Sequence, residues 1–402
     1  MRKSILSMLV AIVLSVVFVF PGYAQGEEEI VIGSIWDQVG IAGPLGQAGL
    51  RGSQLAVDRI NAQGGIFGYP VKLHNIDGQS DQTVISNAAI RLAEEIKAVA
   101  VCGLEDDSLV SAAGPIFQSH KTPFLDGTAT TPTITEIGDY IFMTPFGDND
   151  QGRAVAKYAV KLGYKKAATI KDNASAYSIA LTGFFEESFK EFTGDPNAIV
   201  LQETYQTGDE DYTAQLTRIR SKRKDVEVIV IVPPFPKDGP VIAKQARKLG
   251  IDLPLILTDG ADDVTLTDVG GDAVEGAIVS THFSISHPGS DIGEEFVKMY
   301  REKYDSDPGA FESLGFDAVQ LIIGSIQIIG KEKWDSYSLE QRRTAIRDTL
   351  QAEKFTNTTA PISFPDPATA KYPRVPQKPV IFLEVKDGQR MYRDTLPPEE
   401  FK

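Results

Sequence analysis

With a single cysteine, Cys102, among 402 residues, the chain can form no intrachain disulfide, and the fold must hold by packing alone. Cys102 ends the apolar run Ala98–Cys102, where a thiol reads as a small buried hydrophobe. A nucleophile would need a paired base, and no histidine has a spacing that supplies one. His74, His120, His282 and His287 are scattered, and the chain has no HExxH pair, no Walker loop and no G-x-S-x-G turn. The glycines of Gly43–Gly49 are spaced G-x-x-G-x-x-G, which is not the dinucleotide fingerprint. They read as a backbone-rich cleft loop leading into a helix. No catalysis, cofactor or metal is expected. Positive charge is also short, with 40 Lys and Arg against 55 Asp and Glu and a net charge of −15. Bulk attraction to nucleic acid or anionic lipid is excluded, because both are polyanions.

What is present begins with Arg2-Lys3, an apolar run from Ile5 to Phe20, and a small-residue exit at Gly22-Tyr23-Ala24. This is the pattern of a secretory signal peptide over residues 1–24, with an uncleaved anchor as the alternative. Cleavage after Ala24 would leave an exported, more acidic chain. With no cysteine at that point no lipid anchor is expected, and the location implied is the periplasm. The remaining length suits two domains.

Beyond it, short β-branched runs alternate with amphipathic helices. Ile30–Ile35, a helix over Gln47–Ala62, Val71–Asp77, a helix over Asp81–Lys97 capped by Ser80, and Ala98–Cys102 form the first series. A second begins at Ala167–Lys171 and runs through Val226–Val232 to Leu253–Leu257. Runs apolar on both faces, alternating with helices, imply parallel sheets covered by helices. The fold expected is α/β, with two similar doubly wound lobes. The helical stretch from Phe283 to Gln351 has no strand series and reads as completing the first lobe. Asp387-Gly388 between two apolar runs reads as a hairpin turn.

At this point the residues carry a resemblance. Ile32-Gly33-Ser34, Gly43-Pro44, the stretch Gly52–Gly68, the loop Gly127–Pro132, Asp172 with Tyr177, Asp259-Gly260 and Gly315–Val319 occur in order. Together they resemble the leucine/isoleucine/valine-binding family of periplasmic solute-binding proteins. The resemblance implies a type I periplasmic binding protein fold, with the two lobes joined by a three-segment hinge. The lobes would comprise residues 25–147 plus 281–353, and 148–280 plus 354–402. It also implies a monomer that traps a small solute by hinge closure and hands it to an ABC transporter permease in the inner membrane. A periplasmic sensor that presents an amide, organic cation or other small solute to a membrane receptor is the alternative.

An amino acid, aliphatic or neutral by preference, would need donors for its carboxylate and an acid for its ammonium. Thr128, Ala129 and Thr130 are the candidates for the first task, unless the threonines merely close a turn. By the family's pattern Asp259 meets the ammonium, and Tyr177 and Phe235 close over the ligand. Phe235 sits among Pro233, Pro234 and Pro236, which stiffen its loop. Trp36 is either cleft wall or core edge. One departure stands out: Asp107 occupies the place where the amino-acid binders offer a serine. Either Ser108 is presented instead, a basic residue neutralises Asp107, or the ligand carries extra positive charge. A solvated acidic loop that caps the next helix is the remaining reading.

Overall fold

The computed structural model describes residues 28–401. The segment read as a signal peptide lies outside the described residues. The strands β1 (Ile30–Ile35), β2 (Val71–Ile76), β3 (Ala100–Gly103), β4 (Phe124–Asp126) and β5 (Ile141–Met143) form one parallel sheet, ordered β2-β1-β3-β4-β5. A second parallel series comprises β6 (Ala167–Asp172), β7 (Ile199–Tyr205), β8 (Val228–Val232), β9 (Leu255–Leu257) and β10 (Ile278–Thr281). Its order, β7-β6-β8-β9-β10, repeats that of the first. Every residue of β3 and β8 is buried, as expected of strands covered by helices on both faces.

Order reverses beside β1 in one sheet and beside β6 in the other. At such switch points the loops beyond the strands' carboxyl ends diverge and leave a crevice. The short strands β11 (Lys354–Thr356) and β12 (Pro361–Ser363) pair with each other, whereas β13 (Val380–Lys386) joins the second sheet antiparallel to β10, and β14 (Gln389–Leu396) pairs antiparallel with β13 at its edge. Asp387 and Gly388 both have positive φ, 52° and 69°, which suits the two-residue hairpin turn read from the sequence.

Three local expectations change. The first helix runs Gly43–Ala62 with Pro44 at its start, so the glycine-rich stretch is helix and not loop. The helix Gln82–Ile90 is capped by Asp81, whose Oδ1 accepts from Thr83 N and Val84 N, while the Ser80 hydroxyl is drawn to Asp37 Oδ2 at 2.6 Å. The last boundary also moves. Phe355, Ile362 and Phe364 belong to the first lobe's core, Val375 packs with Met143, and Arg374 O accepts from Met143 N at 3.0 Å. The chain therefore enters the second lobe just before Val380, not at residue 354. Proline removes the periodicity there, and packing alone assigns the segment.

The crossovers meet in a buried polar cluster. Lys378 Nζ lies 3.8 Å from Asp317 Oδ2 and 3.4 Å from Thr144 O, and Asp317 Oδ1 accepts from Thr358 N at 2.9 Å. Thr359 Oγ1 donates to His282 O at 2.8 Å. These bonds tie residues on all three crossovers to the core helix Ala310–Ile329.

That core helix lies directly on the helix Gly43–Ala62. A Cβ on Gly52 would stand 1.9 Å from Glu312 O, and one on Gly315 would stand 2.1 Å from Gly49 O. Gly52→Ala is therefore expected to destabilise the protein by about 1–3 kcal/mol in urea unfolding. Gly183→Ala lies in the helix Ala176–Thr193, where nothing is within 4 Å of the added carbon, and should stabilise by up to ~1 kcal/mol. Equal effects at the two sites would contradict the close helix contact.

Candidate functional site

A cavity with about 370 Å³ of empty volume lies between the two sheets' carboxyl ends. The first lobe contributes Leu45, Glu105, Asp106, Asp107, Thr128, Ala129, Thr130 and Phe311, and the second contributes Tyr177, Pro234, Asp259 and Gly260. The second-lobe wall is built around one carboxylate. Asp259, just after β9, is 3 % exposed. Its Oδ1 accepts from Gln151 Nε2 and from Tyr177 OH, each at 2.7 Å, and its Oδ2 lies 3.1 Å from His282 Nε2. Burial by itself would push this carboxyl up, but the hydrogen bonds from His282, Gln151 and Tyr177 outweigh it and hold the group below the usual carboxylate range. Burial also holds His282 below its ordinary value, so the ring donates as neutral imidazole, stacked on Phe146 with centroids 3.8 Å apart. Asp259 is thus an ionised, preorganised carboxylate facing the cavity.

The first-lobe wall is acidic in a different way. Asp107 begins the helix Asp107–Ser119 and Asp148 begins the helix Asp148–Lys161. Thr131 Oγ1 stands 2.5 Å from Asp107 Oδ2 and 3.0 Å from Asp148 Oδ2. One hydroxyl has one proton to give, so two close carboxyls around it require that one of them be protonated. Burial pushes Asp107 up to about 6, with the negative charge of Asp106 adding to it, and burial with the charge of Asp107 raises Asp148 well above its ordinary value. Glu105 and Asp126 are raised well above theirs, again chiefly by burial. Glu105 Oε1 accepts from Asp37 N at 2.9 Å, and Asp126 Oδ1 accepts from Ala129 N at 3.2 Å. The remaining oxygens, Glu105 Oε2, Asp126 Oδ2 and Asp148 Oδ1, are buried with no hydrogen-bond partner among the described residues.

Of the residues singled out in the sequence, Asp107, Thr128, Ala129, Thr130, Tyr177 and Asp259 share the cavity wall. Three do not. Trp36 is fully buried, donates Nε1–H to Ser53 Oγ at 3.0 Å, and fills the space beside Gly49 and Gly127. Phe235 packs on Leu45, Ala48, Phe311 and Leu314, and its neighbour Pro234 reaches the cavity instead. Ser108 donates its backbone N–H to Asp106 Oδ1 at 2.9 Å and its hydroxyl to the same oxygen, so Asp107, not Ser108, faces inward. Of the donors expected for a ligand carboxylate, Ala129 N–H is engaged by Asp126, and the Thr128 hydroxyl lies 3.4 Å from Glu105 O. Sequence reasoning missed Glu105, Leu45 and Phe311. Glu105 could have been found in the acidic run beside Asp107, but nothing local marks the other two.

The protonated carboxyls predict a pH dependence. Asp107 titrates near 6 when folded and at its ordinary lower value when unfolded, so between those values the folded chain binds more protons. Stability therefore falls as pH rises through that window, and Glu105, Asp126 and Asp148 act in the same sense. Asp259 and His282 act oppositely, Asp259 only in acid, below the ordinary carboxylate value of about 4, and His282 below its ordinary value of about 6.5, one group against the four acids. Calorimetry of ligand-stripped protein should show a melting temperature that drops from about pH 5 to about pH 7, and less so in Asp107→Asn. A flat or rising profile would contradict the raised carboxyls.

Comparison with known proteins agrees with this architecture. The periplasmic binding protein family model matches residues 29–389. A leucine-binding protein from Thermotoga maritima is 26% identical with a TM-score of 0.81, covering 92% of this chain and 99% of that one. The branched-chain amino acid binding protein of Streptococcus pneumoniae, solved in complex with isoleucine, is 27% identical with a TM-score of 0.79 over 92% of this chain and 99% of its own. A Leu/Ile/Val-binding protein homolog from Brucella abortus is 26% identical over 306 residues, or 71% of this chain and 73% of the relative. With the fold, the interlobe cavity and this span of similarity in agreement, the chain belongs to the leucine/isoleucine/valine-binding family of periplasmic solute-binding proteins of ABC transporters, a family of binders and not of enzymes.

Proposed function

We propose that this protein is the extracytoplasmic binding component of an ABC importer. In this reading it captures a small amino-bearing solute, an amino acid or a close analogue, between its lobes and presents the closed form to a permease as a monomer. The observation that carries the reading is Asp259, a buried carboxylate with three donors already in place, set on a cavity whose wall comes from both lobes. A ligand that touches both walls binds the closed form better than the open one, so binding shifts the population toward closure. An ammonium group facing Asp259 is paid for by charge-assisted hydrogen bonds, while Leu45, Phe311 and Pro234 offer apolar contact to the rest of the solute. The relatives' association with amino acids and with ABC transport supports the same class of solute and partner.

Thermal unfolding of residues 25–402 against a panel of amino compounds tests this. A ligand at about 100 times its dissociation constant adds roughly 2.7 kcal/mol and should raise the melting temperature by several degrees. Asp259→Ala should keep the native circular dichroism spectrum and weaken that ligand by about 2–5 kcal/mol, because its ammonium would lose a buried charged partner. Unchanged affinity in this variant would remove Asp259 from the site. A panel without a single stabilising amino compound would overturn the proposal.

A further inference from the structure

The cavity has an excess of acid that one amino group does not use. Glu105, Asp106, Asp107 and Asp259 line it, Asp126 and Asp148 stand behind the first-lobe wall, and no Lys or Arg lines it among the described residues. The nearest buried bases are committed elsewhere: His282 to Asp259, and Lys378 to Asp317 at the crossovers. Asp107 and Asp148 have a structural role open to them, since both begin helices, where a carboxyl complements the helix dipole. Glu105 has none of that kind. It precedes the helix and its capping residue Asp106, is 6 % exposed, and lines the cavity, yet its Oε2 has no hydrogen-bond partner among the described residues. An unpartnered carboxyl oxygen on a residue that lines a ligand cavity can be completed by an N–H donor on the ligand, whose positive charge also favours the ionised carboxylate.

Resting on the reading of this cavity as the solute site, we infer that the solute carries net positive charge, with a second N–H-bearing cationic group held at Glu105 and Asp107 opposite the one at Asp259. A simple zwitterion fits this wall poorly. Its carboxylate would meet Glu105 and Asp107, which could hold it only while both kept their protons, and Ala129 N–H, a neutral donor that could receive it, is engaged by Asp126. An ammonium or guanidinium brings three or five donors, enough for the free Glu105 oxygen and for Asp107 together. A quaternary ammonium brings none and would leave Glu105 unsatisfied, so an N–H-bearing cation is the class the wall selects. Binding such a group also favours the ionised form of Asp107, which the empty cavity holds partly protonated. The apolar side chains of Leu45, Phe311 and Pro234 suit a short aliphatic spacer between the two charges. Putrescine and lysine represent the class, without and with a carboxylate.

Isothermal titration of residues 25–402 with putrescine, lysine and leucine, on the native protein and on Glu105→Gln and Asp107→Asn, tests the inference. Putrescine or lysine is expected to bind at least tenfold more tightly than leucine. Each substitution should weaken the cation at least tenfold while leaving leucine unchanged or tighter, because it removes a repulsive charge. The leucine titration also shows that each variant still folds and closes. Leucine binding more tightly than both cations, and no more tightly in either variant than in the native protein, would overturn the second cationic site and leave the importer reading standing. No binding of any of the three to the native protein would overturn both.

Discussion

The cost of taking several carboxyl groups out of water with no base to meet them governs the rest of this cleft. Glu105, Asp107, Asp126 and Asp148 are all less than one-tenth exposed, and together they raise one another's affinity for protons. The first-lobe loops are arranged around that cost: Thr131 lies between two of the acids, Ala129 N–H is spent on a third, and Asp37 N on Glu105. The loop that would hold an anion in a simple amino-acid site is occupied here by the protein's own acids.

Asp259 shows that the same residue type, equally buried, can be held in the opposite state. It receives three hydrogen bonds on two oxygens and stays ionised, whereas Asp126 and Asp148 each keep an oxygen without a partner among the described residues, and burial, with the charge of Asp107, raises both well above the ordinary carboxylate value. Donor supply, and not burial, separates the two walls of the cavity. One wall is a finished carboxylate, and the other is a set of acids short of donors.

The crossovers bear on this because His282 serves both. Its ring holds Asp259 while its backbone carbonyl accepts from Thr359 on a segment packed against the first lobe. The Lys378–Asp317 pair lies in the same buried cluster and joins the third crossover to the core helix. Movement of one lobe against the other must therefore pass through polar contacts one residue away from Asp259. Closure and charge recognition are mechanically adjacent in this fold.

Much of this was legible before the coordinates. Strand runs such as Ile30–Ile35, the repeated alternation of strand and helix, the Asp387-Gly388 turn, and the gathering of Asp107, Thr128–Thr130, Tyr177 and Asp259 around one cleft follow from local pattern and family motif, and the structure has each of them in that place. Sequence leaves Trp36 open between cleft wall and core edge and Ser108 open beside Asp107, and points Phe235 at the cleft, because each can satisfy itself nearby, in a core slot, a turn or an apolar cluster, and sequence does not rank those options. The segment 354–375 went to the other lobe because prolines erase periodicity. The sequence by itself determined the two wound sheets and where their loops lie, since periodicity and side-chain type are properties of neighbours in the chain. Which acids are ionised depends on contacts distant in the chain: a donor that holds Asp259 comes from Gln151, 108 positions away, and Asp148 is raised by burial and by the charges of Asp107 and Asp259.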